Sequence, residues 1–196
     1  MARITRLAVF ASGQGSNFVA LAQAIQAQQL PATIVRLIVD KKNAGAIEKA
    51  KQLGIPYTLV DYRHFADRQA AELAILDQLN QDQVDGILLA GYMRLLTETL
   101  LTPYAGRIIN IHPALLPSFP GTHGIQDAFD YGVRVTGVTV HYVDAGMDTG
   151  KIIAQQPVVI AVDDQLIDVE ARIHAVEHQL YTATLAMLLE RGEFIK

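Results

Sequence analysis

Four short runs of this chain are apolar almost without interruption, and each is separated from the next by a stretch with helical spacing. "RLAVFAS" (Arg6–Ser12), "TIVRLIVD" (Thr33–Asp40), "VDGILLAG" (Val84–Gly91) and "RIINIH" (Arg107–His112) lack the alternation of a strand with one wet face. Strands apolar on both faces belong to a parallel sheet with helices on either side, since crossover helices cover both faces. The intervening segments supply helices at Ser16–Gln29, Ala44–Gly54 and Phe65–Gln81, and a short one within Thr97–Gly106. In the third of these, Phe65, Leu73, Leu76 and Leu79 recur at helical spacing. "PYTLV" (Pro56–Val60) adds a short strand.

Beyond Gly121 the pattern changes. Gly124–Gly132 reads as a short helix, and Arg134–Asp144 and Lys151–Ile160 read as two strands joined across "AGMDTG", which suits an antiparallel pair. A long helix closes the chain at Gln165–Glu190, with Val169, Ile173, Val176, Leu180 and Met187 on one stripe. The expected fold is α/β: a Rossmann-like, mostly parallel sheet with helices on both faces, fused to a smaller mixed α/β C-terminal half with an antiparallel strand pair. It is expected to form one domain over 1–196, with halves at 1–105 and 106–196. At 196 residues and 51% hydrophobic, the chain can bury a core without covalent staples.

Composition narrows the function. There are no cysteines, which removes disulfides and thiolate chemistry and suits a reducing compartment, so a cytoplasmic location is expected. A net charge of −4 with no basic block argues against nucleic acid, because phosphate neutralisation needs clustered Lys and Arg. No apolar run reaches the roughly 20 residues of a membrane span, and the N-terminal apolar run is broken by glycine too soon for a signal peptide. The expected partners are small-molecule substrates, with the chain working as a monomer or homodimer.

"ASGQGSNF" places Gly13 and Gly15 between the first strand and the first helix. A dinucleotide fingerprint needs a third glycine where this chain has Phe18, and Asp40 alone is a weak candidate for a ribose acid. The loop better suits one terminal phosphate. Its glycines expose backbone N–H groups, Ser16 and Asn17 add donors, and the helix dipole favours an anion. The alternative is a tight turn with Ser16 as N-cap.

Asn110 and His112 lie two residues apart on a strand and so share a face, and Pro113 keeps His112 extended. They fall at the carboxyl end of a strand, where α/β proteins place ligands. An asparagine amide can donate to a developing oxyanion, and a histidine can carry a proton between attacking and leaving groups. An acidic partner for the imidazole is available in "DAGMDTG", where Asp148 is the better candidate and Asp144 competes.

These motifs resemble those of the 10-formyltetrahydrofolate-dependent formyltransferases. "NIHPALLPSFPG" is similar to the Asn-x-His-Pro-x-Leu-Leu-Pro motif of that superfamily. "SGQGSN", "GYMRLL" and "DAGMDTG" are similar to segments of the branch that formylates a glycinamide ribonucleotide in purine biosynthesis. The resemblance runs from about Leu7 to Leu189. It implies that Asn110, His112 and Asp148 are the catalytic trio. It implies that Gly15, Ser16 and Asn17 hold the ribonucleotide phosphate, to which the reading of the loop adds Gly13, and that Glu177 contacts the ribonucleotide, with His174 one turn earlier in the same region. Met93, Arg94, Leu95, Leu96, Asp144, Ala145, Gly146 and Met147 would enclose the folate pterin, and Arg68 would contact the folate. Residues 1–105 would then be the phosphate-binding half and 106–196 the catalytic and folate-binding half.

The implied reaction is direct attack of the glycinamide amine on the formyl carbon, through a tetrahedral oxyanion stabilised by Asn110 and protonated His112. Asp148 would raise the imidazole pKa so that the charged form is available. The folate is a co-substrate, and no tightly bound cofactor or metal is implied.

"HAVEH" (His174–His178) matches a zinc-protease pattern, but no third ligand is evident. His141 reads as a satisfied structural histidine and His64 as a surface-loop residue. Ile125 stands where the family often has a second loop histidine after the position of His123, and Leu116–Pro117 is where it tends to have a cis peptide. Two other functions compete: a formyltetrahydrofolate deformylase, expected to carry an N-terminal regulatory domain, and a non-catalytic nucleotide-binding module. A methionyl-tRNA formyltransferase would be expected to add a basic C-terminal domain.

Overall fold

In the computed structural model, which describes residues 3–194, all the expected strands join one seven-stranded sheet. The outer limits of the 1–196 domain, residues 1–2 and 195–196, lie outside the described residues. The strands are β1 (Thr5–Ala11), β2 (Ala32–Val39), β3 (Tyr57–Leu59), β4 (Gly86–Leu89), β5 (Ile108–His112), β6 (Val135–Tyr142) and β7 (Ile152–Val159), in the order β3-β2-β1-β4-β5-β6-β7. Pairing is parallel from β3 through β5, then antiparallel for β5–β6 and β6–β7. The chain runs outward from β1 to β3 and returns on the other side of β1 as β4. That reversal is a topological switch point, where loops on the two sides diverge and leave a crevice.

The helices are α1 (Ser16–Ala27), α2 (Gly45–Gln52), α3 (Arg68–Gln81), α4 (Glu98–Leu101), α5 (Gly124–Tyr131) and α6 (Leu166–Glu190). Alternation along each strand divides the core into two layers. Leu7, Val9 and Ala11 of β1 join Phe18 and Leu21 of α1 and Ile173, Tyr181 and Leu185 of α6. Ala8 and Phe10 join Ala71, Ile75 and Leu79 of α3 and Leu100 and Leu101 of α4. Phe18, which breaks the dinucleotide fingerprint, is fully buried in the first layer.

Two stripes differ from expectation. α3 begins after Asp67, whose side chain accepts from Ala70 N, so Phe65 lies outside the helix. The buried face of α3 is Ala71, Glu72, Ile75 and Leu79, while Leu73 is 48% exposed. Glu72 is buried because Thr97 donates to it from both its backbone N and its hydroxyl. On α6 the line begins with Val169 and Ile173 but continues through Glu177, Tyr181, Thr184 and Leu188; Val176, Leu180 and Met187 are only partly buried. The Tyr181 hydroxyl is accommodated by the Leu89 and Ile109 carbonyls at 2.9 and 3.2 Å. Among the described residues no helix is long and apolar enough to cross a membrane.

Candidate active site

A cavity of about 700 Å³ opens at the carboxyl ends of β1, β4 and β5, at the switch point. One end is built from the β1–α1 turn. Gly15 is the N-cap of α1, in the left-handed region at φ 72°, and a Cβ there would lie 2.7 Å from the Ala46 Cβ. Both facts call for glycine. Ser16 is therefore the first residue of the helix rather than its cap. The first turn of α1 carries no acidic residue, so its N–H groups and dipole are open to an anion. Gly13, Gly15, Ser16 and Asn17 line this end, faced by Glu170, His174 and Glu177 of α6. Asn17 is buried, and its Oδ1 has no hydrogen-bond partner among the described residues. Glu177 is 6% exposed; burial pushes its carboxyl up to about 7, against the Asn17 amide, which pulls it down.

The other end forms around β5. Ile109 and Ile111 enter the core, so period-two geometry turns Asn110 and His112 to the opposite face. Antiparallel pairing sets His141 of β6 directly opposite Asn110. Asp148 arrives from the β6–β7 connection with its backbone at φ 55°. Its Oδ2 lies 3.4 Å from His112 Nδ1 and accepts from Gly121 N at 2.8 Å; its Oδ1 lies 3.6 Å from His141 Nε2. Asp144, its competitor, is exposed and accepts from Gly146 N and Thr149 Oγ1 as a turn former. Burial alone would raise the Asp148 carboxyl, but the His141 contact, the Gly121 N–H and the charge of His112 outweigh it and hold the group below the usual carboxylate range.

His112 requires a correction. Its Nε2 lies 2.8 Å from the carbonyl oxygen of Phe119. A carbonyl only accepts, so Nε2 carries hydrogen and Nδ1, facing Asp148, is the nitrogen that gains or loses a proton. The expected upward pull of Asp148 on this pKa is present but does not set the net direction. Burial instead carries it below the ordinary imidazole range, further helped by His141, although Asp148 and the Phe119 carbonyl pull upward. Burial thus favours the neutral ring, and Asp148 the charged one. Phe119 itself sits at φ 54°, and the loop leading to it is tied to β6 through Thr139, whose hydroxyl donates to Ala114 O and accepts from Leu116 N. The Leu116–Pro117 bond is cis.

The segment after β4 contributes to the lining of the same cavity. Met93, Arg94, Leu95 and Leu96 line it, with Asp144, Gly146 and Met147 opposite. Met93 N donates to Ser12 Oγ at 2.9 Å, and Ser12 N donates to Gly91 O at 3.0 Å. The Arg94 side chain is committed: it donates to buried Asp40 at 2.7 Å and lies 4.0 Å from the Tyr62 ring centroid. Asp40 thus anchors an arginine where a ribose partner was considered. Half-exposed Met93, Leu95 and Met147 offer flexible apolar surface to a flat ring. Arg68, exposed at the start of α3, and Ala145 are not among the lining residues.

Sequence inspection missed His141, Ser12 and the Phe119 carbonyl as parts of this site. His123 and Ile125 line the cavity. His174 lines it too; among the described residues His178 Nε2 is buried without a partner, and no group of three or more His, Asp or Glu is placed to hold a metal. His64 is exposed.

Such a crevice, with an anion-binding helix end at one side and an Asn-His-Asp cluster at the other, is the architecture of a group-transfer enzyme. The Formyl transferase family matches residues 5–185, and the chain belongs to that family. It is 47% identical over 191 residues to the phosphoribosylglycinamide formyltransferase of Bacillus subtilis (strain 168), covering 96% of this chain and 98% of that protein. Its fold is similar to the crystal structure of phosphoribosylglycinamide formyltransferase from Bacillus halodurans, with TM-score 0.94, 49% identity, and 97% and 98% of the two chains covered. It is also similar to glycinamide ribonucleotide transformylase 1 from Geobacillus kaustophilus, with TM-score 0.93, 48% identity, and 95% and 100% covered.

Proposed function

We propose that this chain is a phosphoribosylglycinamide formyltransferase. It transfers the formyl group of 10-formyltetrahydrofolate to the amine of 5'-phosphoribosylglycinamide, giving formylglycinamide ribonucleotide and tetrahydrofolate in purine biosynthesis. The observation that carries this reading is one cavity holding both the Gly15–Asn17 turn and the Asn110, His112 and Asp148 cluster.

The α1 N-terminus, Ser16 and Asn17 hold the phosphate, and His174 and Glu177 meet the rest of the ribonucleotide. Met93–Leu96 and Asp144–Met147 enclose the pterin of the co-substrate, with Arg68 towards its outer end. A C–N bond forms from the glycinamide amine to the formyl carbon, and the bond from that carbon to the folate nitrogen breaks. Asn110 donates to the oxygen that gains charge; one such donor is worth about 3 kcal/mol. His112 takes the amine's proton at Nδ1, directly or through water, and is then the cation the oxyanion needs. It returns that proton to the departing folate nitrogen. Asp148 favours the charged ring through Coulomb attraction, which burial otherwise opposes.

The test is to incubate the protein with 10-formyltetrahydrofolate, with and without glycinamide ribonucleotide. Tetrahydrofolate released only with the ribonucleotide supports transfer. Equal release without it identifies a deformylase, and none in either case a binding module.

A further inference from the structure

His141 is 2% exposed, faces Asn110 across the β5–β6 pair, and has both ring nitrogens in polar contact. Its Nδ1 lies 2.8 Å from the Tyr142 carbonyl oxygen, so Nδ1 carries hydrogen. Nε2 is the variable atom. It lies 3.2 Å from Asn110 Nδ2 and 3.6 Å from Asp148 Oδ1. A neutral ring presents a lone pair at Nε2, which accepts from the Asn110 amide nitrogen. A charged ring presents N–H instead, which suits Asp148 and opposes the amide's own N–H groups.

An asparagine amide can flip end for end, and only one of the two orientations offers a donor where a formyl oxygen gains charge. Something must choose between them. Accepting one Asn110 N–H at His141 Nε2 fixes the nitrogen side of the amide and leaves its second N–H for substrate. We propose that His141 is a positioning residue that orients the Asn110 amide to donate to the transferring formyl oxygen. Its polar contacts are with Asn110, Asp148 and the Tyr142 carbonyl. The titratable groups facing it are Asp148, from the β6–β7 connection, and His112, from β5. This assignment rests on the formyl-transfer function proposed above.

The experiment is a double-mutant cycle with His141→Ala and Asn110→Ala, supplemented by His141→Gln, whose amide oxygen can accept from the same Asn110 N–H. His141→Ala is expected to lower kcat by about 10- to 100-fold, the scale of a misplaced catalytic group, with both KM values changed by no more than about threefold. In the Asn110→Ala background the same substitution is expected to add little, since the group it positions is gone. His141→Gln should restore most of kcat. Additive losses in the cycle, or a His141→Ala enzyme with unaltered kcat, overturn the proposal. Ribonucleotide binding measured by calorimetry on each variant reports folding independently of turnover. A wild-type protein that fails to formylate the ribonucleotide overturns the underlying function, whereas transfer by wild type with an additive cycle overturns only the role of His141.

Discussion

The two ends of the cavity are built on opposite plans. At the phosphate end, polar groups are left for a ligand to complete: the open N–H groups of α1, the unpartnered Asn17 Oδ1, and a Glu177 carboxyl that burial has lifted to about 7. At the transfer end the polar groups already have protein partners: both nitrogens of His112, both of His141 and both oxygens of Asp148. The first end is suited to affinity, because ligand contacts there replace contacts with water. The second is suited to rate, because prearranged dipoles need no reorganisation when charge develops.

Substitutions can break that division. The largest effect is expected from Asp148→Asn, which removes the charge opposing the burial of His112. Its kcat should fall by about 10²- to 10⁴-fold, the usual worth of positioned acid–base groups, with both KM values near wild type. Steady-state kinetics decide; a loss confined to KM would make the transfer end a binding site.

Glu177→Gln comes next and tests the opposite end through pH. The unfolded carboxyl ionises near 4.5 and the folded one near 7, so wild-type stability declines as pH rises between those values and stays reduced above them. The amide has no charge to bury. The variant should gain up to about 3 kcal/mol at pH 8 and nothing from this source at pH 4, by thermal or denaturant unfolding at both pH values. The ribonucleotide KM should rise, since a carboxylate that costs stability is then kept for its contact with ligand. A gain equal at both pH values would remove the link to ionisation.

A paired Ser16→Ala, Asn17→Ala variant should raise the ribonucleotide KM by about tenfold, the worth of a charge-assisted hydrogen bond or two, while kcat falls less than about threefold. The smallest effect is expected at Arg68→Ala. An exposed arginine outside the cavity lining contributes about 1 kcal/mol or less, so the folate KM should rise no more than about fivefold with the ribonucleotide KM unchanged.

The same contrast explains what was legible in the sequence. The parallel half was, because strands buried on both faces write an unbroken apolar run. The α6 face was not, because its buried line passes through Glu177, Tyr181 and Thr184, which a hydrophobic stripe assigns to the outside. Period-two geometry placed Asn110 and His112 together, but the choice between Asp144 and Asp148 depends on a turn conformation that composition does not encode. His141 was hidden for a similar reason: its neighbours Val140 and Tyr142 read as ordinary strand, and its significance lies in a cross-strand register. The net pKa of His112 depends on depth of burial, which no motif carries. Most of the ligand-contact assignments came from family resemblance rather than from spacing.

The acceptor that fixes the His112 tautomer is the Phe119 carbonyl, a main-chain atom. No exchange of side chain at position 119 can delete it. Such a contact is robust to sequence drift in a way that a side-chain partner is not. The Pro-rich loop is free to diversify its surface residues as long as its path survives, and the constraint on position 119 is tolerance of a left-handed backbone. In an evolving population the tautomer is inherited through the shape of a loop rather than the identity of a residue.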